Sequence, residues 1–187
     1  MSQTLAIGQK RAIGNVAKIA LAVGLITLSA KITVPFWPVP MTMQVAAILL
    51  IAGLGGLRFG VTSVGAYLAV GAAGLPVFAG TPEKGIGLTY MFGPTGGYLL
   101  GFLVAAVLIG WATDRFGRRL GSLSMPFGLA VIYAFGVAWL SLFVPSDKLF
   151  ALGVAPFLLG DFCKVALAAL LTVAAPAAVT RWVQGRI

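Results

Sequence analysis

Asp161 and Lys164 lie inside an apolar stretch of a chain in which only 9% of residues are charged. They follow Pro156-Phe157-Leu158-Leu159-Gly160 and precede Val165-Ala166-Leu167-Ala168-Ala169-Leu170-Leu171, a run that reads as a membrane-spanning helix. At i and i+3 the two side chains leave one helical face about 60° apart. A charge in hydrocarbon costs roughly 2.5 kcal/mol or more, so such residues face a bundle interior or a polar cavity. Lys164 offers an ammonium to a carboxylate and Asp161 offers a carboxylate to an N–H donor, the complement of a small amphiphilic ligand. Two other readings use the same residues. One is a salt bridge that locks the helix to itself or a neighbour; the other is a titrating relay through Asp161 in an ion- or proton-coupled carrier.

Positioning such a pair takes a membrane bundle. Mean hydropathy is +1.04, and 60% of the 187 residues are hydrophobic. That length holds about six spans of roughly 20 residues with short loops and no separate soluble domain. The chain therefore reads as a single transmembrane domain over residues 1–187. Six apolar segments can be drawn, at about 14–31, 42–57, 60–75, 95–112, 124–144 and 157–180. The expected fold class is an all-α integral membrane protein, a bundle of six transmembrane helices in the cell membrane. Pro35, Pro38 and Pro40 separate the first two segments, and Gly53, Gly55, Gly56 and Gly60 mark a tight turn around Arg58. Residues 76–94 form the longest loop. Asp114–Arg119 ends the fourth span, and Pro176 kinks or ends the sixth. Lys10, Arg11 and Lys18 before an apolar run imitate a signal peptide. Leu28 would stand at −3 of its cleavage site, so a retained first span is expected.

Basic residues set the orientation. Lys10, Arg11, Lys18, Arg58, Arg115, Arg118, Arg119, Arg181 and Arg186 fall on one side of such a bundle, against Lys31, Lys84 and Lys148 on the other. This bias places both termini in the cytoplasm. The second, fourth and sixth helices then begin at the outer face, near Thr42, Thr95 and Pro156, and point positive dipole ends outward. Small residues recur at four-residue spacing at Ala20/Gly24, Gly97/Gly101 and Ala130/Ala134/Ala138. Such rows let helices approach closely, within the bundle or against another membrane protein, a second copy included.

The outer loops supply walls for a ligand: Phe36, Trp37, Phe78, Tyr90 and Phe92 for an apolar body, and Gln44, Thr89 and Tyr98 for hydrogen bonds. Trp37 and Tyr90 lead, because proline or glycine neighbours fix their segments. Histidine is absent, which removes imidazole bases and the commonest metal ligand. The four acids, Glu83, Asp114, Asp147 and Asp161, lie in four separate segments, so neither a catalytic nor a metal site is expected. No phosphate-cradling loop appears, so the chain does not hydrolyse ATP itself. Cys163, the single cysteine, excludes a disulfide framework and is expected to be buried beside the Asp/Lys pair. A net charge of +9 is spread between apolar segments, which argues against nucleic acid. Arg115, Arg118 and Arg119 are suited to anionic lipid headgroups or a cytoplasmic partner.

Four ordered motifs carry a resemblance. Pro38-Val39-Pro40-Met41-Thr42-Met43-Gln44, Gly74-Leu75-Pro76-Val77-Phe78-Ala79-Gly80, Gly93-Pro94-Thr95-Gly96-Gly97-Tyr98 and Gly160-Asp161-x-x-Lys164 resemble BioY, the biotin-specific substrate-binding (S) components of energy-coupling factor transporters. The likeness covers about residues 14–180. It implies a six-helix bundle that captures biotin from outside, with loops over the site. It also implies a transmembrane coupling (T) subunit and two cytoplasmic ATPase subunits as partners, with no cofactor on this chain. The family's biotin-contacting Asp and Lys map onto Asp161 and Lys164, with Trp37, Tyr90, Gln44 and Thr95 as expected neighbours. Asp161 would accept from a ureido N–H and Lys164 would neutralise the carboxylate. S components commonly dock the coupling subunit through Ala-x-x-x-Ala in helix one; the nearest register here is Ala20-x-x-x-Gly24.

Overall fold

The structure, a computed structural model, describes residues 2–185, with side chains given for Gln9 and from Ala12 onward. The side chains of Lys10 and Arg11, and all of Arg186, which enter the charge bias above, lie outside the described residues.

Helix α1 spans Ser2–Lys31, and a two-stranded antiparallel hairpin follows, β1 (Thr33–Val34) paired with β2 (Met41–Thr42). Proline at 35, 38 and 40 stops the helix as expected, but the chain uses that interruption to fold back on itself rather than to run as plain loop. Helix α2 (Gln44–Ala72) covers the second and third expected spans without a loop. Its direction changes at Gly56 alone, where φ is 74° and ψ −170°. That conformation is open in practice only to glycine. The expected turn around Arg58 is thus a single-residue break.

The long loop carries a short helix α3 (Gly87–Met91). Helix α4 (Gly96–Gly121) then continues through the charged stretch expected to end it and breaks at Gly117, with φ 80°. A 3-10 turn (Ser122–Ser124) leads into α5 (Met125–Leu140), which has Pro126 in its first turn. After a second 3-10 turn come α6 (Leu149–Gly153) and α7 (Leu158–Ala174), bent 45° from each other. Pro176 ends α7 and starts an amphipathic α8 (Ala177–Gln184). The expected span over 157–180 is therefore two helices.

Three runs are long and apolar enough to cross a membrane: Ala12–Lys31, Gln44–Ala72 and Gly96–Leu140, or four with the bent α6–α7 pair. Each of the six expected segments is largely helical, but two pairs of them are joined by breaks instead of loops and the sixth is split at Pro176. Residues 14–15 and 183–185 line one groove, so both ends of the described chain lie at one end of the bundle.

Apolar side chains fill the interior and also cover the outside. Ile26, Ile48, Leu49, Tyr67 and Ile109 are fully buried, while Leu28, Phe127, Leu159, Phe162 and Leu170 are more than 60% exposed. A surface that apolar is stable against lipid, not water. Helices α4 and α5 approach closely where Gly97 meets the Phe135 carbonyl and Trp139, Gly101 meets the Ile132 backbone and Gly136 meets the Tyr98 ring; a Cβ at any of the three would overlap its neighbour. The row Gly128/Ile132/Gly136 thus does the packing on α5. The expected row Ala130/Ala134/Ala138 lies on its exposed face.

Polar groups fasten the helix ends. Asp114 Oδ2 accepts the Leu57 N–H at 3.0 Å, which caps the second arm of α2 with a negative charge at its positive dipole end. Arg118 Nη1 donates to the carbonyls of Thr172 (3.1 Å) and Ala175 (2.8 Å) at the end of α7.

Candidate functional site

Asp161 and Lys164 are brought together as expected, both buried in the first half of α7. Lys164 Nζ donates to Asp161 Oδ1 at 2.7 Å. The other carboxylate oxygen, Oδ2, accepts the hydroxyl of Tyr133 on α5 at 2.7 Å. Both oxygens are therefore held, and the carboxylate is fixed in orientation. A buried ion pair gains little net stability, because desolvation offsets the attraction. Keeping one here points to use.

Asp161 opens onto a pocket at the end of the bundle opposite both ends of the described chain. The pocket encloses about 520 Å³ of empty space, its open mouth included. Gln44, Tyr90, Thr95 and Asp161, four of the six residues expected at the site, line it together. Val39, Val45, Leu99, Phe102, Ile132 and Phe157 give it apolar walls. The arrangement suits a ligand with an apolar core and a polar end that meets Asp161.

Two expected site residues are placed differently. Lys164 lies outside the lining, with Nζ near Gly160 and bonded to Asp161, so it reaches a ligand beside Asp161. Trp37 is 76% exposed and outside the pocket; its neighbour Phe36 turns inward and packs edge-on against Phe157 at 6.1 Å. Proline on both sides of the Phe36-Trp37 pair fixes the segment, but alternation sends only one ring inward. Phe92 and Thr89 are likewise exposed, and Phe78 is buried behind Tyr90, the two rings stacked at 4.9 Å. Burial raises the Tyr90 phenol above its ordinary value, so it enters the wall as a neutral group. Cys163, expected to be buried, is exposed on the opposite face of α7 from Asp161.

Each wall is held from behind. Gln44 Nε2 donates to Tyr67 Oη at 2.8 Å, and Tyr67 Oη donates onward to the Val77 carbonyl at 3.2 Å. Thr42 Oγ1 accepts the Gln44 N–H at 3.2 Å, at the start of α2. Tyr98 lines the pocket with its ring but gives its hydroxyl to the Gly153 carbonyl at 2.7 Å. Lys31, the last residue of α1, donates to the carbonyls of Phe78 (3.0 Å) and Thr81 (3.1 Å) and to Thr81 Oγ1 (2.9 Å). It thereby pins the loop that places Ala79 in the pocket wall.

Sequence reading missed Tyr133 and Tyr67. The available signal was a phenol inside an otherwise apolar span, since a buried hydroxyl requires a partner. Ala20 and Gly24 are both exposed on α1, and a Cβ at Gly24 would touch nothing. That row is free for an external partner and does no packing in this chain.

The BioY family model matches residues 1–181. The chain is 40% identical over 157 residues to the probable biotin transporter BioY of Pyrococcus horikoshii, covering 84% of this chain and 93% of that one. It is 39% identical over 158 residues to the biotin transporter BioY of Thermotoga maritima, covering 82% and 90%. The crystal structure of the S-component for biotin from an ECF-type ABC transporter superposes with a TM-score of 0.75 at 26% identity, over 87% of this chain and 90% of that one. A shared membrane-helical fold, the family match over nearly the whole length and two relatives near 40% identity agree: the chain belongs to the BioY family.

Proposed function

We propose that this chain is the biotin-binding S component of an ECF-type uptake transporter, a single six-span domain with both termini cytoplasmic. The observation that carries the reading is buried Asp161 in the wall of an apolar pocket, held by Tyr133 on one oxygen and by Lys164, just outside the lining, on the other. The six helical arms serve as six spans, and the pocket faces outward to capture the vitamin. The chain itself catalyses nothing and carries no cofactor. Energy comes from a T subunit and two ATPase subunits, docked along the exposed Ala20/Gly24 face of α1.

The 2.7 Å pair also changes the assignment of ligand ends. Two groups that touch each other meet one end of an extended molecule, not two. The ureido ring suits them, because its N–H donates to Asp161 while its carbonyl accepts from Lys164. A carboxylate there would sit against Asp161 and be repelled. The carboxylate end then lies toward the mouth, near Thr95 at the positive end of α4. Both oxygens of Asp161 are engaged, which favours ligand orientation over a titrating relay.

Calorimetric titration of the purified chain tests this with biotin, biotin methyl ester and 2-iminobiotin. Tight binding of biotin, mild loss with the ester and large loss with the altered ureido group are expected. Absence of biotin binding to folded protein would sink the reading, and a larger loss with the ester would reverse the ligand in the pocket.

A further inference from the structure

At the end of the bundle that carries both ends of the described chain, a groove opens between α1, the Gly56 break of α2 and α8. Lys18, Arg58, Asn15, Thr62 and Gln184 line it around about 1270 Å³ of empty space, open solvent included. Lys18 Nζ lies 5.4 Å from the centroid of the Trp182 ring on α8. Among the described residues neither cation has an acidic partner. Of the four acids, Asp161 is paired with Lys164, Asp114 holds the Leu57 N–H, and Glu83 and Asp147 belong to loops at the opposite end. Two cations facing one groove, with no counter-charge among the described residues, suit an anion.

A second groove shares Lys18, Phe59 and Val183 with the first and leaves it along the seam between α1 and α2. It is lined by Leu21, Leu25, Leu50 and Leu54 and is almost wholly apolar. From Lys18 to Leu25 the helix rises about 10 Å, a length matched by the upper part of an acyl chain. Leu21 and Leu25 are exposed, so this seam is not closed by the protein itself. Helix α8, with Val179 and Trp182 exposed beside Arg181, has the character of an interfacial helix at the same level.

We propose that the continuous groove binds one anionic phospholipid, its phosphate between Lys18 and Arg58 and an acyl chain along the α1–α2 seam. A free phosphate would use the cationic part and leave the seam unexplained. A docked protein helix would use the seam and leave the two cations without a charge to meet.

Native mass spectrometry of the full chain, offered phosphatidylglycerol and phosphatidylcholine with identical acyl chains, tests the assignment. Wild type is expected to retain phosphatidylglycerol selectively. The double variant Lys18→Gln/Arg58→Gln should lose that adduct roughly 30-fold, since each basic group near an anionic headgroup contributes about a factor of 5. Lys18→Arg should keep it, and thermal unfolding in parallel confirms that the variants are folded. Leu25→Trp, which fills the seam, should weaken the lipid adduct without changing retention of inorganic phosphate. Three results would overturn the proposal: an adduct unchanged in the double variant, displacement of the lipid by glycerol phosphate at equal concentration, or capture of a protein segment instead of lipid by a photocrosslinker at position 25.

Discussion

Tyr133 on α5 donates to Asp161 Oδ2 on α7 at 2.7 Å, while Lys164 holds Oδ1 at the same distance. One carboxylate thus ties two helices and still lines the pocket. Tyr133→Phe removes a hydrogen bond to a charged group, commonly about 1.5–3 kcal/mol. Biotin affinity is expected to fall by about one to two orders of magnitude, with the fold retained because the ring still packs. Calorimetry beside a thermal melt checks both, and an unchanged Kd would remove Tyr133 from the site.

Lys31 acts at a distance from the ligand. Its three bonds to Phe78 and Thr81 hold the loop that closes one pocket wall. Lys31→Met should raise the dissociation rate of biotin about tenfold while the association rate changes little, because most affinity effects of this kind reside in dissociation. Stopped-flow release into excess unlabelled biotin measures it. Lys31→Arg should recover much of the loss, and equal rates in wild type and Lys31→Met would show that the loop is held without it.

The Gly56 break is a matter of stability, not of binding. Asp114→Ala removes the cap on the second arm of α2 and should cost about 1–2 kcal/mol. Gly56→Ala should cost more, since φ is 74° and an added Cβ would overlap the Asp114 carboxylate. Both variants should melt lower yet bind biotin with wild-type affinity, because the break lies at the end of the bundle opposite the pocket. A change in Kd without a change in melting temperature would contradict this division.

The sequence disclosed much of this through polarity. Buried charge in hydrocarbon is expensive, so Asp161 and Lys164 announce a site, and the glycine- and proline-rich motifs around Gln44 and Thr95 bring both to one pocket. What stayed hidden depends on direction. Whether Phe36 or Trp37 turns inward follows from a hairpin too short to show in composition. Composition marked the Gly56 turn, but only the observed φ shows that one residue makes it. Tyr133 is one phenol among apolar neighbours, and its partner lies 28 residues away on another helix. Cys163 shows the same limit: one step from a buried pair along a helix is a different face, and here it is the exposed one.

The central claim is that the Asp161–Lys164 pair binds the polar end of biotin. The direct test is the equilibrium affinity of the purified chain for biotin in wild type, Asp161→Asn and Lys164→Ala. Each variant strands a buried partner and should lose about 2–5 kcal/mol of binding, roughly 30-fold or more in Kd. Tight wild-type binding that survives both substitutions unchanged would place the vitamin elsewhere and contradict the account.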